Sequence, residues 1–336
     1  MGLICYSFAT GLRRRYFNKY FSWLLIWVFA VIIINFYIPF SLNFIKSGKA
    51  LNIWTLEPML HIIFAVWASY IALSYFEQDD FVKIARTLCF SAVAVSVIAS
   101  LQYFGWDMFG KKVIFYDEGV RFSACLDNSN IAGAYLALCL PFFLIFKEHK
   151  YKLGFILVLA GVFISQSIMA KVCALLGLAV YFLLNLKNRK ILIAALGTGI
   201  GAVLILLFNL KLFIGDFAGR LEVWAMTLQK FKENVIFGQG IGIFKTWNIL
   251  HLGYWGNAHN DWLERLVELG LIGIILMVLV VINSIRKFNY KKDNIVGFSY
   301  FASFVSFLVL MGGSFPFEIA PLALLGLIGF WGTEVL

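Results

Sequence analysis

Apolar residues run along this chain in long blocks separated by short polar stretches. Blocks at 20–41, 58–76, 86–104, 131–147, 153–169, 170–186, 191–210, 268–285, 295–312 and 319–333 each approach the ~20 mostly apolar residues that a membrane-spanning helix needs. The pattern predicts an all-α fold, a polytopic membrane helix bundle of about ten spans. The fifth and sixth blocks almost touch, so a tight hairpin is expected near 165–171. The alternative is one unsplit helix of ~34 residues, which would overreach a ~30 Å hydrocarbon core.

The longest polar interval, 211–267, has a pattern of its own. Apolar residues recur at Leu221, Trp224, Leu228 and Phe231, which is helical spacing with one apolar face. Gly238, Gly240 and Gly242 interrupt it and read as a loop hinge. Asp261 and Glu264 then stand at capping-box spacing, opening a helix that runs on into the eighth span.

Composition agrees with this pattern. The chain is 62% hydrophobic and 14% charged, against about 25% charged in soluble domains. Residues 1–336 therefore read as a single integral membrane domain, with 211–267 as a large, partly helical loop within it on the outer face. The net charge of +10 raises the question of a polyanion partner. Topology answers it without nucleic acid. With the N-terminus inside, the inner segments hold Arg13, Arg14, Arg15 and Lys19, then Lys83 and Arg86, then Lys147, Lys150 and Lys152, then Lys187, Arg189 and Lys190, then Arg286, Lys287, Lys291 and Lys292. The outer segments hold most of the acids, as the positive-inside bias requires. Both termini are then cytoplasmic. The basic start leads into an apolar run too long for a signal-peptide core and reads as a first span that stays. The five cysteines show no metal-like spacing, so neither a disulfide framework nor a zinc site is expected.

Three polar clusters fall on the outer side. One runs from Arg121 through Asn128 and Asn130 to Gly133. A second joins Arg220, Glu222 and Trp224 to the glycine-rich hinge. A third surrounds His259 and Asn260 and continues through Asp261, Glu264, Arg265 and Glu268. Titratable groups at a bilayer edge are costly unless paired or used. Guanidinium groups fork onto phosphate oxygens, and imidazole suits proton transfer near neutral pH. Each cluster also has a plainer reading. Arg220 would be an interfacial arginine, and Arg121 a loop ion pair with Asp117 or Glu118. Asn128, Asn130 and Asn260 would be turn and cap residues, the acids of the third cluster a solvated helix face, and Trp224 part of an aromatic belt.

Arg121 followed by Asn128-Ser-Asn130-Ile-Ala, then Arg220 with Trp224 and the Gly238-Gln-Gly240-Ile-Gly242 turn, then His259-Asn260 leading to Glu268-Leu-Gly270-Leu-Ile-Gly273, resembles the O-antigen ligase and O-antigen polymerase superfamily over roughly 115–335. Two positions depart from the family pattern. Ser129 stands where Pro is common, and Ile168 stands where Arg often follows Ser in the hairpin. The resemblance implies a GT-C-like bundle in the bacterial inner membrane with a periplasmic active site. It implies a metal-independent, inverting glycosyltransferase without a cofactor. The donor would be an undecaprenyl-pyrophosphate-linked glycan, and the acceptor lipid A–core (a ligase) or a second lipid-linked glycan (a polymerase). On that reading Arg220 and His259 are catalytic, and Arg121 and Arg220 bind pyrophosphate. Asn260, Glu222, Glu264, Glu268, Asn128 and Asn130 support them. A reading from another class, a lipid-linked glycan flippase or transporter, calls for ionisable residues near mid-membrane or paired broken helices.

Overall fold

The computed structural model describes residues 71–106, 114–116, 119–126, 128–185, 213–242, 257–290 and 294–336, with Trp23, Ile26, Trp27, Ala65, residues 67–69 and Phe244 besides. The expected spans at 20–41 and 191–210, and most of that at 58–76, lie outside the described residues. Eight helices have both ends among the described residues: α1 (Gln78–Tyr103), α2 (Ser129–Phe143), α3 (His149–Ile164), α4 (Ile168–Asn185), α5 (Phe213–Phe231), α6 (Asp261–Lys287), α7 (Ile295–Leu310) and α8 (Ala320–Val335). Three of them, α1, α4 and α6, are long and apolar enough to cross a membrane; α2, α7 and α8 are apolar but shorter. This is a helical membrane protein. The described residues depart from all-α at one small antiparallel hairpin, β1 (Ile114–Tyr116) and β2 (Gly119–Arg121).

The expected hairpin between the fifth and sixth blocks is present. Helix α3 ends at Ile164 and α4 begins at Ile168, with Gln166 at φ 57 turning the chain between them. Ser165 and Ser167 serve the turn. Ser165 Oγ donates to Val162 O at 2.7 Å, and Ser167 Oγ accepts from Ala170 N at 3.3 Å.

Helix α2 sits at the centre because nothing on it objects to burial. It carries no charge, and nearly every residue from Ala132 to Phe143 is buried. Helices α1, α3, α4 and α7 all pack against it. Lipid tails are as apolar as leucine, so close packing rather than hydrophobic burial holds spans together. Small residues provide it. On α8, Gly326 faces the Phe307 ring, Gly329 faces the Phe304 backbone and Gly332 faces the Tyr300 ring, each too close for a Cβ without adjustment. Polar side chains close the remaining seams. Tyr300 Oη donates to Phe81 O at 2.6 Å, Ser303 Oγ to Leu138 O at 2.9 Å and Ser306 Oγ to Cys173 O at 3.0 Å. A stripe on α6 stays exposed at Leu271, Ile275, Val278 and Ile282, as a lipid-facing surface would.

Charge separates to the two ends of this bundle. At one end, Arg86 lies over the Phe146 ring and Lys150 over Tyr151, while Lys287 pairs with Glu334. At the other end stand the start of α6, the α3–α4 turn and the 311–319 connection between α7 and α8.

Candidate functional site

The start of α6 is the scaffold of this second end. Asn260, not Asp261, caps the helix, and its Oδ1 accepts from Leu263 N at 3.2 Å. The cap therefore lies one residue earlier than expected, and the expected capping box does not form, because Leu263 occupies the third helical position. Glu264 does not fold back onto the cap; it accepts from Ala258 N at 2.5 Å. Asp261 is tied to the 311–319 connection instead. Its N–H donates to Met311 O at 2.8 Å and Ser314 O at 3.1 Å, and its Oδ2 accepts from Phe317 N at 2.9 Å.

Asp261, Glu264, Arg265 and Glu268 share one face through their i,i+3 and i,i+4 spacing. A solvated face was one expectation, and the structure overturns it: Asp261, Glu264 and Glu268 are 0, 1 and 2% exposed. The guanidinium of Arg265 lies among them. It bonds Glu268 Oε2 directly and lies 3.5 Å from Glu264 Oε2, 3.9 Å from Asp261 Oδ1 and 3.7 Å from Glu318 Oε1. Glu318 comes from a short 3-10 turn, Pro316–Glu318. The connection through Phe315 to Phe317 thus does more than turn the chain. Fully ionised, four carboxylates around one guanidinium leave three negative charges in excess, and low polarisability makes that costly. Burial of such a group requires protons on part of it, or further positive charge nearby.

Glycines lock this helix to the preceding loop. Gly270 has φ 66, in the left-handed region, and breaks α6. The break is filled by the 235–240 turn. Val267 O and Glu268 O accept from Gln239 N at 2.7 Å and Gly240 N at 3.0 Å; Leu271 N and Ile272 N donate to Val235 O at 2.9 Å and Ile236 O at 3.3 Å. Gly238, at φ 78, is equally required, because a Cβ there would strike the Glu268 carbonyl. Gly242 N donates to Glu268 Oε1 at 2.7 Å. The expected hinge is a backbone-to-backbone weld.

Arg220 and His259 reach the same connection. Arg220 lies on α5 and donates from Nη1 to Gly313 O at 3.2 Å. His259 adopts φ 53, and its ring meets Phe315 edge-on, centroids 4.9 Å apart. The two expected catalytic side chains are thus brought against residues two apart in the chain. Helix α5 buries Val223 and Thr227 beside them, while Leu221 and Leu228 are 50 and 43% exposed. The expected apolar stripe was displaced by one residue, leaving half of it facing outward. Trp224 is not exposed as a belt residue would be; it is partly buried, and its Nε1 donates to Ala258 O at 2.8 Å.

The remaining expected residues divide. Asn128 caps α2, its Oδ1 accepting from Asn130 N at 2.8 Å. Glu222 is exposed and takes no part in the Arg265 cluster. The side chain of Arg121 lies outside the described residues; its backbone pairs with Ile114 in the hairpin. Glu264 and Glu268 join the site through Arg265. Arg265 and Glu318 were not among the expected site residues. The helical spacing of Arg265 to Asp261 and Glu268 was the available signal, whereas nothing local points to Glu318. No group of metal-ligating geometry occurs among the described residues.

Residues 153–278 match the family model for O-antigen ligase. The matched stretch contains Arg220, His259, Trp224 and the acids of α6, and leaves Arg121, Asn128, Asn130 and Glu318 outside. No curated protein matches the chain.

Proposed function

We propose that this chain, which matches the O-antigen ligase family model over residues 153–278, is a member of that superfamily and transfers a glycan from undecaprenyl pyrophosphate to a sugar hydroxyl at the periplasmic face of the inner membrane, with both termini cytoplasmic. One observation carries the assignment. A guanidinium and an imidazole, from distant parts of the matched stretch, meet on the Gly313–Phe315 segment at the end of the bundle opposite the Lys/Arg-rich end. The expected topology, with basic loops inside, puts that end outside.

The chemistry follows from these groups. The acceptor oxygen attacks the anomeric carbon as its bond to the pyrophosphate breaks. One displacement inverts the configuration. Negative charge grows on the departing diphosphate, and preorganised cations at such a place supply the largest share of rate. Arg220 is the cation for this role; its bond to the Gly313 carbonyl aims the planar guanidinium fork. Arg265 cannot serve, since its charge is taken up by four carboxylates. His259 accepts the hydroxyl proton. Arg121 is a second phosphate contact. The acids and Asn260 hold the scaffold under His259. The reaction so drawn uses no metal and no cofactor.

Lipid A–core is the proposed acceptor, which makes the protein a ligase. A second lipid-linked glycan as acceptor would make it a polymerase with the same chemistry. Reconstitution with a lipid-linked oligosaccharide and each acceptor separates them by which product grows. No product with either acceptor, from protein that is folded and monodisperse, refutes the assignment and favours transport.

A further inference from the structure

Ala258 has no polar side chain, yet it is fully buried and both peptide planes beside it are fixed by hydrogen bonds. Its N–H donates to Glu264 Oε1 at 2.5 Å, from α6. Its carbonyl accepts from Trp224 Nε1 at 2.8 Å, from α5. The next residue is His259, held at φ 53, where a non-glycine residue needs its surroundings to keep it. The imidazole then meets Phe315, on the α7–α8 connection, at 77° between ring planes. Three separate elements therefore converge on two residues. Burying a carboxylate to accept one peptide N–H is expensive as simple loop anchoring, since a neutral oxygen would serve. Arg265, 3.5 Å from the other oxygen of Glu264, holds that carboxylate in place.

We propose that Trp224, Glu264 and Phe315 are positioning residues that fix the direction of the His259 imidazole, with Trp224 acting through the Ala258 carbonyl rather than by stacking on sugar. This rests on His259 being the proton acceptor of the transfer reaction. Fixed peptide planes on both sides of Ala258 place the His259 Cα, and the Phe315 edge then limits the ring. Small misplacements of a reacting group cost up to about 100-fold in rate, so loosening one arm of a three-armed clamp should cost on the order of tenfold in kcat.

The test uses the full chain in nanodiscs, with His61, His149 and His251 replaced by glutamine so that His259 is the sole histidine. Two quantities are read: the rate of His259 modification by diethyl pyrocarbonate, and kcat and donor KM for glycan transfer. Trp224→Phe keeps an aromatic ring and deletes the donor. It should speed modification several-fold and lower kcat about tenfold, with donor KM unchanged within twofold. Glu264→Ala cuts the opposite arm and should do the same. Glu264→Gln restores an acceptor oxygen and should return both readouts toward the parent. Wild-type modification and kcat in Trp224→Phe, or a raised donor KM alone, would overturn the proposal. Should Trp224→Phe not fold, the contrast between the two Glu264 variants decides. If the parent transfers no glycan, the functional assignment fails by itself, while the modification rates still report on the clamp.

Discussion

Arg265→Met removes the guanidinium around which Asp261, Glu264, Glu268 and Glu318 gather. Methionine fills much of the volume, so the change is mainly one of charge. Deleting one member of a buried ion pair costs about 3–5 kcal/mol, because the partner charge is left without compensation. Arg265 is mostly buried, its side chain 15% exposed, and Glu264 and Glu268 are almost wholly so, so solvent offers little relief. Against a total stability of roughly 5–15 kcal/mol, that is a large share. At roughly 2 °C per kcal/mol for a chain of this size, the unfolding midpoint in detergent should fall by about 6–10 °C. Two contacts should loosen with it, Gly242 N to Glu268 and Ala258 N to Glu264, since each carboxylate is held by Arg265. A double-mutant cycle isolates the charge term. Glu268→Gln in the Arg265→Met background removes part of the uncompensated charge, so the two losses should not add; the coupling expected is ~1–3 kcal/mol. An Arg265→Met protein within ~0.5 kcal/mol of wild type, or strictly additive losses, would refute a buried cluster held together by the Arg265 charge.

Gly270→Ala should destabilise by about 2 kcal/mol or more, through its left-handed φ of 66 and a Cβ 2.5 Å from Gly238 N; thermal unfolding in detergent measures it, and Gly238→Ala should match. Arg220→Lys keeps the charge but loses the planar fork, and transfer from the lipid-linked donor should fall about 100-fold with an unchanged unfolding midpoint. His259→Ala should lower turnover by about 10²–10⁴-fold while donor binding, measured by labelled-lipid filtration, persists; full activity in that variant would remove His259 from the chemistry.

Much of the bundle was legible because spans announce themselves by length and composition. The blocks at 86–104, 131–147, 153–169, 170–186, 268–285, 295–312 and 319–333 each contain most of a helix. Errors arose where two neighbouring residues could satisfy one rule. Asn260 and Asp261 can both cap a helix, and the bond that Phe317 N, distant in sequence, donates to Asp261 Oδ2 decides between them. On α5, Leu221–Leu228 and Val223–Thr227 lie on neighbouring helical faces that share Trp224 at their edge; what selects the face of Val223 is contact with buried Phe244, Ala258 and Val267. A threonine on the inward face carries no apolar signal. Its hydroxyl is accommodated by donating to Val223 O at 2.6 Å, one turn back. The candidate site was legible as residue types and order, but not as partnerships. Nothing local reveals that Glu318 approaches Arg265, or that a tryptophan expected at the interface holds the residue before His259.

The break in α6 bears on enzyme against transporter. Discontinuous helices in transporters leave backbone groups turned toward a solute near mid-membrane, and Gly270 does interrupt a spanning helix. The groups freed here are consumed by the protein itself. Four backbone bonds join 267–272 to 235–240, and both glycines of the junction approach too closely to admit a methyl group, let alone a ligand. The acid side chains beside the break face Arg265 in the same way. A site for a passing solute needs polar groups left in reserve; this break spends them on rigidity. Rigid placement of Arg220 and His259 against one short connection is what a displacement reaction needs, because its rate depends on where the guanidinium and the imidazole already stand when charge begins to move.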